Sequence, residues 1–308
     1  MRPSLNCTLA GAIIPQIYIA DLGDFFSFGV MAISFEVLGS GSKGNCYLLR
    51  TPESNILIDV GFSGRTIVLL LERHGLSIDD IHAIFITHEH NDHCNGIRGL
   101  RKLKDVIFFA NEKTAETINA RMCKDINWVA FENERTFRFR DLEVTAFSLP
   151  HDAVDPVGYV FSLPNCCGTP SRRKICIITD LGYAPHGLAQ YASGVDWLVI
   201  EANHDLRLLE LDLKRPVYIK NRIRSKYGHL SNDAALSFIS KNYSTRWKKI
   251  TFVHLSSDCN NPEIIRNMLR KYNFPKSLEF EIADPLANGC NREACDQNSM
   301  SITAPTGA

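Results

Sequence analysis

The side chains best suited to chemistry are gathered in one stretch, Thr87-His88-Glu89-His90-Asn91-Asp92-His93. Imidazole nitrogens and carboxylate oxygens are the usual ligands of divalent transition-metal ions. His88 and His90 are two apart and project to the same side of an extended segment. Asp92 and His93 follow at once and must point elsewhere, so one loop can serve two adjacent ions. A helical zinc-protease site is excluded, because no His-Glu-x-x-His occurs: Glu89 is followed by His90 and Asn91.

Two ions need more ligands than this loop supplies. His151 follows Pro150 between two apolar runs, where it can hang into a cleft. Asp180 ends the run Ile175-Cys176-Ile177-Ile178-Thr179. A carboxylate bridges two cations through its two oxygens, which a thiolate or an imidazole does poorly, so the bridging place suits Asp180. For the last ligand His204 and His254 compete. His254 is preferred, because it ends the run Lys249–Val253 and a strand end holds a side chain rigidly. A mixed nitrogen and oxygen site accepts Zn, Mn or Fe. Two ions roughly 3.5–4 Å apart would activate a bridging hydroxide and clamp a phosphoryl group, with no protein nucleophile. Cys94 is then a neighbour of the site and not its catalyst.

These groups must be positioned by the elements around them. Ile81–Ile86 reads as a short buried strand, β-branched and aromatic, and the polar heptapeptide as the loop at its carboxyl end, where α/β proteins place their chemistry. Residues 33–38, 46–50 and 55–59 read as strands, the last two as a hairpin around Thr51-Pro52-Glu53-Ser54. Asp59 ends that hairpin, either as a turn cap or as an outer group that orients a metal-bound imidazole. Helices are expected over 65–74, stopped by Gly75, and over 95–104, 112–123, 232–242 and 263–271. Strands are expected over 106–110, 174–179, 196–200 and 249–253. Between them, 127–131, 136–139, 142–149 and 157–163 read as an antiparallel run. His88, His151, Asp180, Glu201 and His254 all fall just past apolar strands, which one shared site at a sheet rim explains.

At 308 residues the chain can bury a sizeable core, and 45% apolar with 22% charged residues is ordinary for a globular protein. The formal net charge is zero, so affinity for nucleic acid has to come from a local patch. Ten cysteines without a Cys-x-x-Cys pair imply no disulfide framework and fit a reducing cytoplasm. No uninterrupted apolar run of about 18 residues appears, so no transmembrane helix is expected. Met31 precedes the first strand, and residues 1–31 are expected to be an extension outside the fold. The main domain is expected over 32–283, and the polar segment 284–308 as a disordered tail.

Residues 214–226 hold Lys214, Arg215, Lys220, Arg222, Arg224 and Lys226 without an acid, and lead into Gly228-His229-Leu230-Ser231-Asn232. Arg215, Lys220, Arg222, Arg224 and Lys226 are candidates for a phosphate backbone. Aromatic stacking residues are not clearly interleaved among them. His229, near a helix N-terminus, can help hold an anion.

Taken together, the His-x-His-x-Asp-His string resembles that of the metallo-β-lactamase superfamily. More closely, Gly-Ser-Gly-Ser-Lys-Gly-Asn-Cys, Thr-His-Glu-His-x-Asp-His, Glu-x-Asn-His-Asp, Gly-His-Leu-Ser-Asn and His-Leu-Ser occur in order over roughly residues 33–283. In this the chain is similar to the YycJ/WalJ branch, also called VicX. The resemblance implies a single-domain α/β fold, the four-layer αββα metallo-β-lactamase sandwich; element alternation alone suggests three layers. It places the final histidine after the last core strand, favouring His254. The implied set is His88, His90 and His151 on one ion, Asp92, His93 and His254 on the other, and Asp180 between them. It favours Asp59 as an orienting group, leaves His204 a supporting role, and places Asp92, His229 and Glu201 in the catalytic network. His229 would contact the phosphate or protonate the leaving group.

The activity this implies is that of a di-metal phosphodiesterase acting on DNA, a 5′-to-3′ exonuclease. The first rival is a small-molecule hydrolase, either a cyclic phosphodiesterase or a glyoxalase-II-like thioesterase, although no glutathione-binding tail is identifiable. Further rivals are a ribonuclease and a regulatory module that kept the fold without the reaction. Asp180 argues against lactam hydrolysis, because antibiotic-hydrolysing relatives often carry Cys there.

Overall fold

A computed structural model describes residues 33–122, 126–164 and 174–283. The expected extension 1–31, the tail 284–308 and most of the loop 164–173 lie outside them. In chain order the described elements are β1 (Ser34–Gly39), β2 (Cys46–Arg50), β3 (Asn55–Ile58), α1 (Gly64–Arg73), β4 (Ala83–Phe85), α2 (Asn91–Cys94) and α3 (Ile97–Leu100). Next come β5 (Ile107–Asn111), α4 (Glu112–Met122), β6 (Trp128–Phe131), β7 (Thr136–Phe139), β8 (Leu142–Ser148), β9 (Val157–Ser162) and β10 (Lys174–Ile178). The remainder are α5 (Ala189–Ala192), β11 (Trp197–Glu201), α6 (Leu206–Leu211), α7 (Val217–Arg224), α8 (Asn232–Lys241), β12 (Lys249–Val253), α9 (Pro262–Leu269) and β13 (Glu279–Ile282).

The strands form two sheets. One has six strands in the order β1-β2-β3-β4-β5-β6, the other seven in the order β13-β12-β11-β10-β9-β8-β7. Alternating side chains divide the interior as the period of two requires. Ile175 and Ile177 of β10 face Tyr47, Ile58 and Phe85 of the other sheet. Cys176 and Ile178 face the opposite way, into a core shared with Leu236 and Ile239 of α8 and Ile265 of α9. Beyond the six-stranded sheet, Leu57, Ile84 and Phe108 pack with Ile67 and Leu71 of α1 and Ile118 of α4. The result is helix, sheet, sheet, helix, the four-layer sandwich expected from the resemblance and one layer more than alternation suggests.

Two readings of the sequence change. Residues 128–131 do not open an antiparallel run: β6 pairs in parallel with β5 and closes the six-stranded sheet. The physical reason is the crossover: β5, α4 and β6 make a strand–helix–strand unit, which returns the chain in parallel. The antiparallel run begins only at β7, in the other sheet. A short helix, α2, forms inside the stretch read as a loop, and of the helix expected over 95–104 only the short α3 forms, after Gly96. There the chain packs on the preceding connection: Gly96 N donates to Val60 O at 2.7 Å, and a Cβ on Gly96 would meet Val60 O and Phe62 O at 2.7 Å. Helices α5, α6 and α7 and strand β13 were not read from the sequence.

Strand direction explains the common rim. β3 and β4 are parallel, so Asp59 and His88 leave the same edge of the six-stranded sheet. In the other sheet β10, β11 and β12 are parallel, and β8 shares their direction because both β8 and β10 run antiparallel to β9. His151, Asp180, Glu201 and His254 therefore all lie at or beyond carboxyl ends of one sheet. No helix among the described residues is long and apolar enough to cross a membrane.

Candidate metal centre

From the turn after β4 come four candidate ligands. His88 follows the strand, His90 caps α2 at its N-terminus, and Asp92 and His93 occupy that helix's only turn. The turn is stitched to its neighbours by the backbone: Asn45 N donates to Asp92 O and Val60 N to His93 O, both at 2.8 Å. Close approach matters here, since a Cβ on Gly61 would stand 1.8 Å from Asp92 O.

Two triads emerge. His88, His90 and His151 offer nitrogens that cluster on one side, and Asp92, His93 and His254 cluster on the other. His90 Nδ1 is 3.0 Å from His88 Nε2 and 3.3 Å from His151 Nε2. His254 Nε2 and His93 Nε2 lie 3.5 and 3.7 Å from Asp92 Oδ2. Asp180 stands between the triads: Oδ2 is 3.1 Å from His93 Nε2, and Oδ1 is 3.5 Å from His254 Nε2 and 3.9 Å from His151 Nε2. The structure thus brings together the seven side chains singled out as ligands. His204 joins neither triad; it is buried beside Ser231, and its Nδ1 has no hydrogen bond.

The fit to cations rests on one atom. Asp180 Oδ2 is buried and has no hydrogen-bond partner that meets both distance and angle, with His93 Nε2 3.1 Å away. An ionised oxygen left so in the interior is costly unless a cation meets it. The nitrogen and carboxylate donor set suits divalent transition metals.

Buried carboxylates hold the rings. Asp59 Oδ2 accepts from His93 Nδ1 at 2.7 Å, which turns Nε2 toward Asp180. Asp59 itself is pinned by Thr87, whose N and Oγ1 both donate at 2.8 Å. Glu201 does the same for two rings at once: Oε1 lies 2.7 Å from His229 Nδ1 and 2.9 Å from His254 Nδ1. Its Oε2 accepts from Leu181 N and Leu230 N, each at 3.0 Å. His151 Nδ1 donates to Gly228 O at 2.9 Å and leaves Nε2 facing the cleft. Asp59, Asp180 and His254 all adopt left-handed backbone, with φ of 59°, 51° and 57°. Such strain in residues other than glycine concentrates at functional sites.

The electrostatics are those of interlocked opposite charges. Burial alone would raise the Asp180 pKa, and the His254 and His93 imidazoles hold it well below the usual range. Burial would lower His254, yet Asp180 and the other carboxylates lift it to about 10. Glu201 falls to about 2 against its burial, through His229. His229 rises in return, as the Glu201 carboxylate outweighs desolvation. By contrast, burial pushes the Cys94 thiol up to about 11, which keeps it an unreactive neighbour.

The site opens into a cleft of about 330 Å³, lined among others by Ser42, His90, Asp152, Arg222 and His229. Of the cationic residues picked out for a phosphate backbone, Arg222 alone lines this cleft, where its guanidinium pairs with Asp152. Arg215 pairs with Asp212 and Asp258, Arg224 pairs with Glu210, and Lys220 donates to Glu210 O. Lys226 is exposed beyond α7. Three supporting residues escaped sequence reasoning. Asn45 Nδ2 lies 3.1 Å from His93 Nε2, Ser40 Oγ accepts from His254 N at 2.7 Å, and Asn203 Nδ2 donates to His254 O at 3.0 Å. The signal was available, since all three sit inside the short motifs at 39–46 and 201–205.

Residues 54–247 match the family model described as "Beta-lactamase superfamily domain". The chain is 34% identical to the exodeoxyribonuclease YycJ of Bacillus anthracis, over 82% of its own length and 96% of the relative's. It is 31% identical to the exodeoxyribonuclease WalJ of Streptococcus pneumoniae, over 82% and 94% of the two chains. Among solved structures, the metallo-β-lactamase fold protein YhfI of Bacillus subtilis superposes with a TM-score of 0.61 at 15% identity, covering 83% of this chain and 97% of that one. Sheet order, the two triads and these relatives agree: the chain belongs to the metallo-β-lactamase superfamily, in its YycJ/WalJ branch.

Proposed function

We propose that the chain is a divalent-metal-dependent phosphodiesterase that degrades DNA from an end, in the 5′-to-3′ direction. The observation that carries this reading is the convergence of both triads on Asp180, in a chain whose relatives over most of its length are exodeoxyribonucleases. His88, His90 and His151 would hold one ion, and Asp92, His93 and His254 the other, with Asp180 shared; the donor set accepts Zn, Mn or Fe. When bound, the ions supply Lewis acidity toward the phosphate and an activated water.

The protein's own side chains supply the rest. Asp59 and the Gly228 carbonyl fix the tautomers of His93 and His151, so that the Nε2 lone pair of His93 is turned toward Asp180 and that of His151 toward the cleft. Glu201 keeps a proton on Nδ1 of His229 and raises its pKa, so that Nε2 holds a second proton to give to the departing oxygen. His229 lies against the cleft, within reach of a phosphate seated there. Arg222 binds the diester's charge by exchanging Asp152 for phosphate oxygens.

The test is an end-labelled DNA ladder run with chelator-stripped protein and after adding back Zn, Mn or Fe. The expected result is no digestion without metal and, with it, early release of a 5′ label as short product. Hydrolysis of RNA or of small cyclic diesters, with DNA left intact under every metal, would overturn the reading.

A further inference from the structure

The turn between β1 and β2 has a buried base and an exposed tip. At the base, Asn45 Oδ1 accepts from Gly41 N at 2.9 Å, and Asn45 Nδ2 donates to Asp92 O at 3.3 Å. Ser40 Oγ accepts from His254 N at 2.7 Å. The base is thus bonded to two members of one triad, Asp92 and His254, which come from different sheets. Gly44 N donates to Gly41 O at 2.9 Å and closes a tight turn. Gly41 and Gly44 have φ of 124° and 156°, a backbone that glycine adopts without strain. The tip is therefore held in place relative to the metal centre.

That tip is Ser42 and Lys43, both exposed. Among the described residues neither makes a hydrogen bond or an ion pair. Ser42 lines the cleft together with His90, Asp92 and Arg222. Lys43 is next in the chain and carries its ammonium on a flexible four-carbon stem. By contrast, Arg215, Arg222 and Arg224 all pair with acids. A tip that offers a hydroxyl, an ammonium and unengaged backbone amides from a fixed base is an anion-binding arrangement.

Charge says which anion. The phosphate being cut would be met by the ions and by His229. Apart from its histidines, the cleft's lining holds one cation, Arg222, which is paired with Asp152. The next phosphate of the strand carries a full charge and needs a cation from just outside that lining. We propose that Ser42 and Lys43 bind the DNA phosphate beside the one being cut, and so set the register in which the strand enters the site. The proposal rests on the phosphodiesterase reading and deepens it: the grip is on the backbone and carries no base preference.

The experiment measures fluorescence anisotropy of a labelled, phosphorothioate-linked duplex with the metal-loaded full chain, and kcat and KM on ordinary duplex. Lys43→Ala is expected to weaken binding by about tenfold at low salt, Ser42→Ala by less, and Lys43→Arg to retain affinity. The salt-dependence slope should fall by about one for Lys43→Ala. Its loss should lie in KM and exceed its loss on bis-p-nitrophenyl phosphate. A duplex with one neutral methylphosphonate beside the scissile phosphate, tested on each side in turn, should lose the same affinity at one position. At that position Lys43→Ala should cost nothing more. Unchanged affinity and slope would overturn the proposal, as would a Lys43→Ala penalty that persists at both positions. Equal losses on duplex and small diester would do so too, by moving the contact to the phosphate being cut. Failure of the phosphodiesterase reading is seen separately, as labelled DNA and small diester both left intact by the wild-type chain with every metal.

Discussion

His88, His90, Asp92 and His93 come from a single turn after β4, whereas His151, Asp180 and His254 each come from a different connection of the seven-stranded sheet. The two halves offer similar donors but depend on different things. The first half is local: one strand end, one short helix and the backbone bonds to Val60 and Asn45 set all four side chains. The second half exists only if β8, β10, β11 and β12 pair in their observed register, because each strand delivers one residue to the rim. Both halves finish in the same way, with a buried carboxylate on the far nitrogen of a ring. The lesson is that the local half carries its geometry in its sequence, and the distributed half carries it in its topology.

The largest expected effect falls on the residue that joins the halves. Asp180→Asn should lower DNA hydrolysis by several orders of magnitude and reduce the metal retained after dialysis, read by elemental analysis. Full metal retention would mean that the halves hold their ions without it. Next, His229→Ala should leave metal content intact and slow turnover by about 10²–10⁴-fold. Loss of an ion in this variant would move His229 into the ligand set.

The two supporting carboxylates test the comparison directly. Removing an outer partner of a ligating histidine commonly costs about 10–100-fold. Asp59→Asn should fall in that range, since Asp59 holds one ring. Glu201→Gln should cost more, because Glu201 holds His229 and His254 together. Equal losses in kcat would imply that His229 does not share in Glu201's work. The smallest effect is expected on the rim: Arg222→Glu should weaken binding of long DNA more than Arg224→Glu. Arg222 lines the cleft, and Arg224 is turned to Glu210. A salt-dependence slope reduced by about one for Arg222 alone would support this.

Legibility followed the same division. The spacing of His88, His90, Asp92 and His93 announces a metal loop without any structure. Asp180 and His254 were also readable, because each closes a run of buried β-branched residues and so marks a strand end. Glu201 carried the same mark, but its two hydrogen bonds, to His229 and His254, reach residues 28 and 53 positions away, which no local pattern encodes. The change of sheet between β6 and β7 was hidden for a similar reason: four-residue strands look alike whichever partner they take. α7 was hidden because its chain buries nothing, and so shows no apolar stripe to read. The cationic run read as one patch divides in three dimensions into Arg222 at the cleft, Arg215, Lys220 and Arg224 bonded to acids or carbonyls nearby, and the exposed Lys226.

Three of the five described non-glycine residues with left-handed backbone — Asp59, Asp180 and His254 — belong to the site, in a conformation that costs most residues roughly 1–2 kcal/mol and that glycine, asparagine and aspartate tolerate best. Alanine scanning would therefore confound two losses there, a side chain and a comfortable bend. Asparagine at each position keeps the bend and removes only the charge or the ring, so the gap between the Asn and Ala variants of His254 would report what the chain spends on aiming that imidazole.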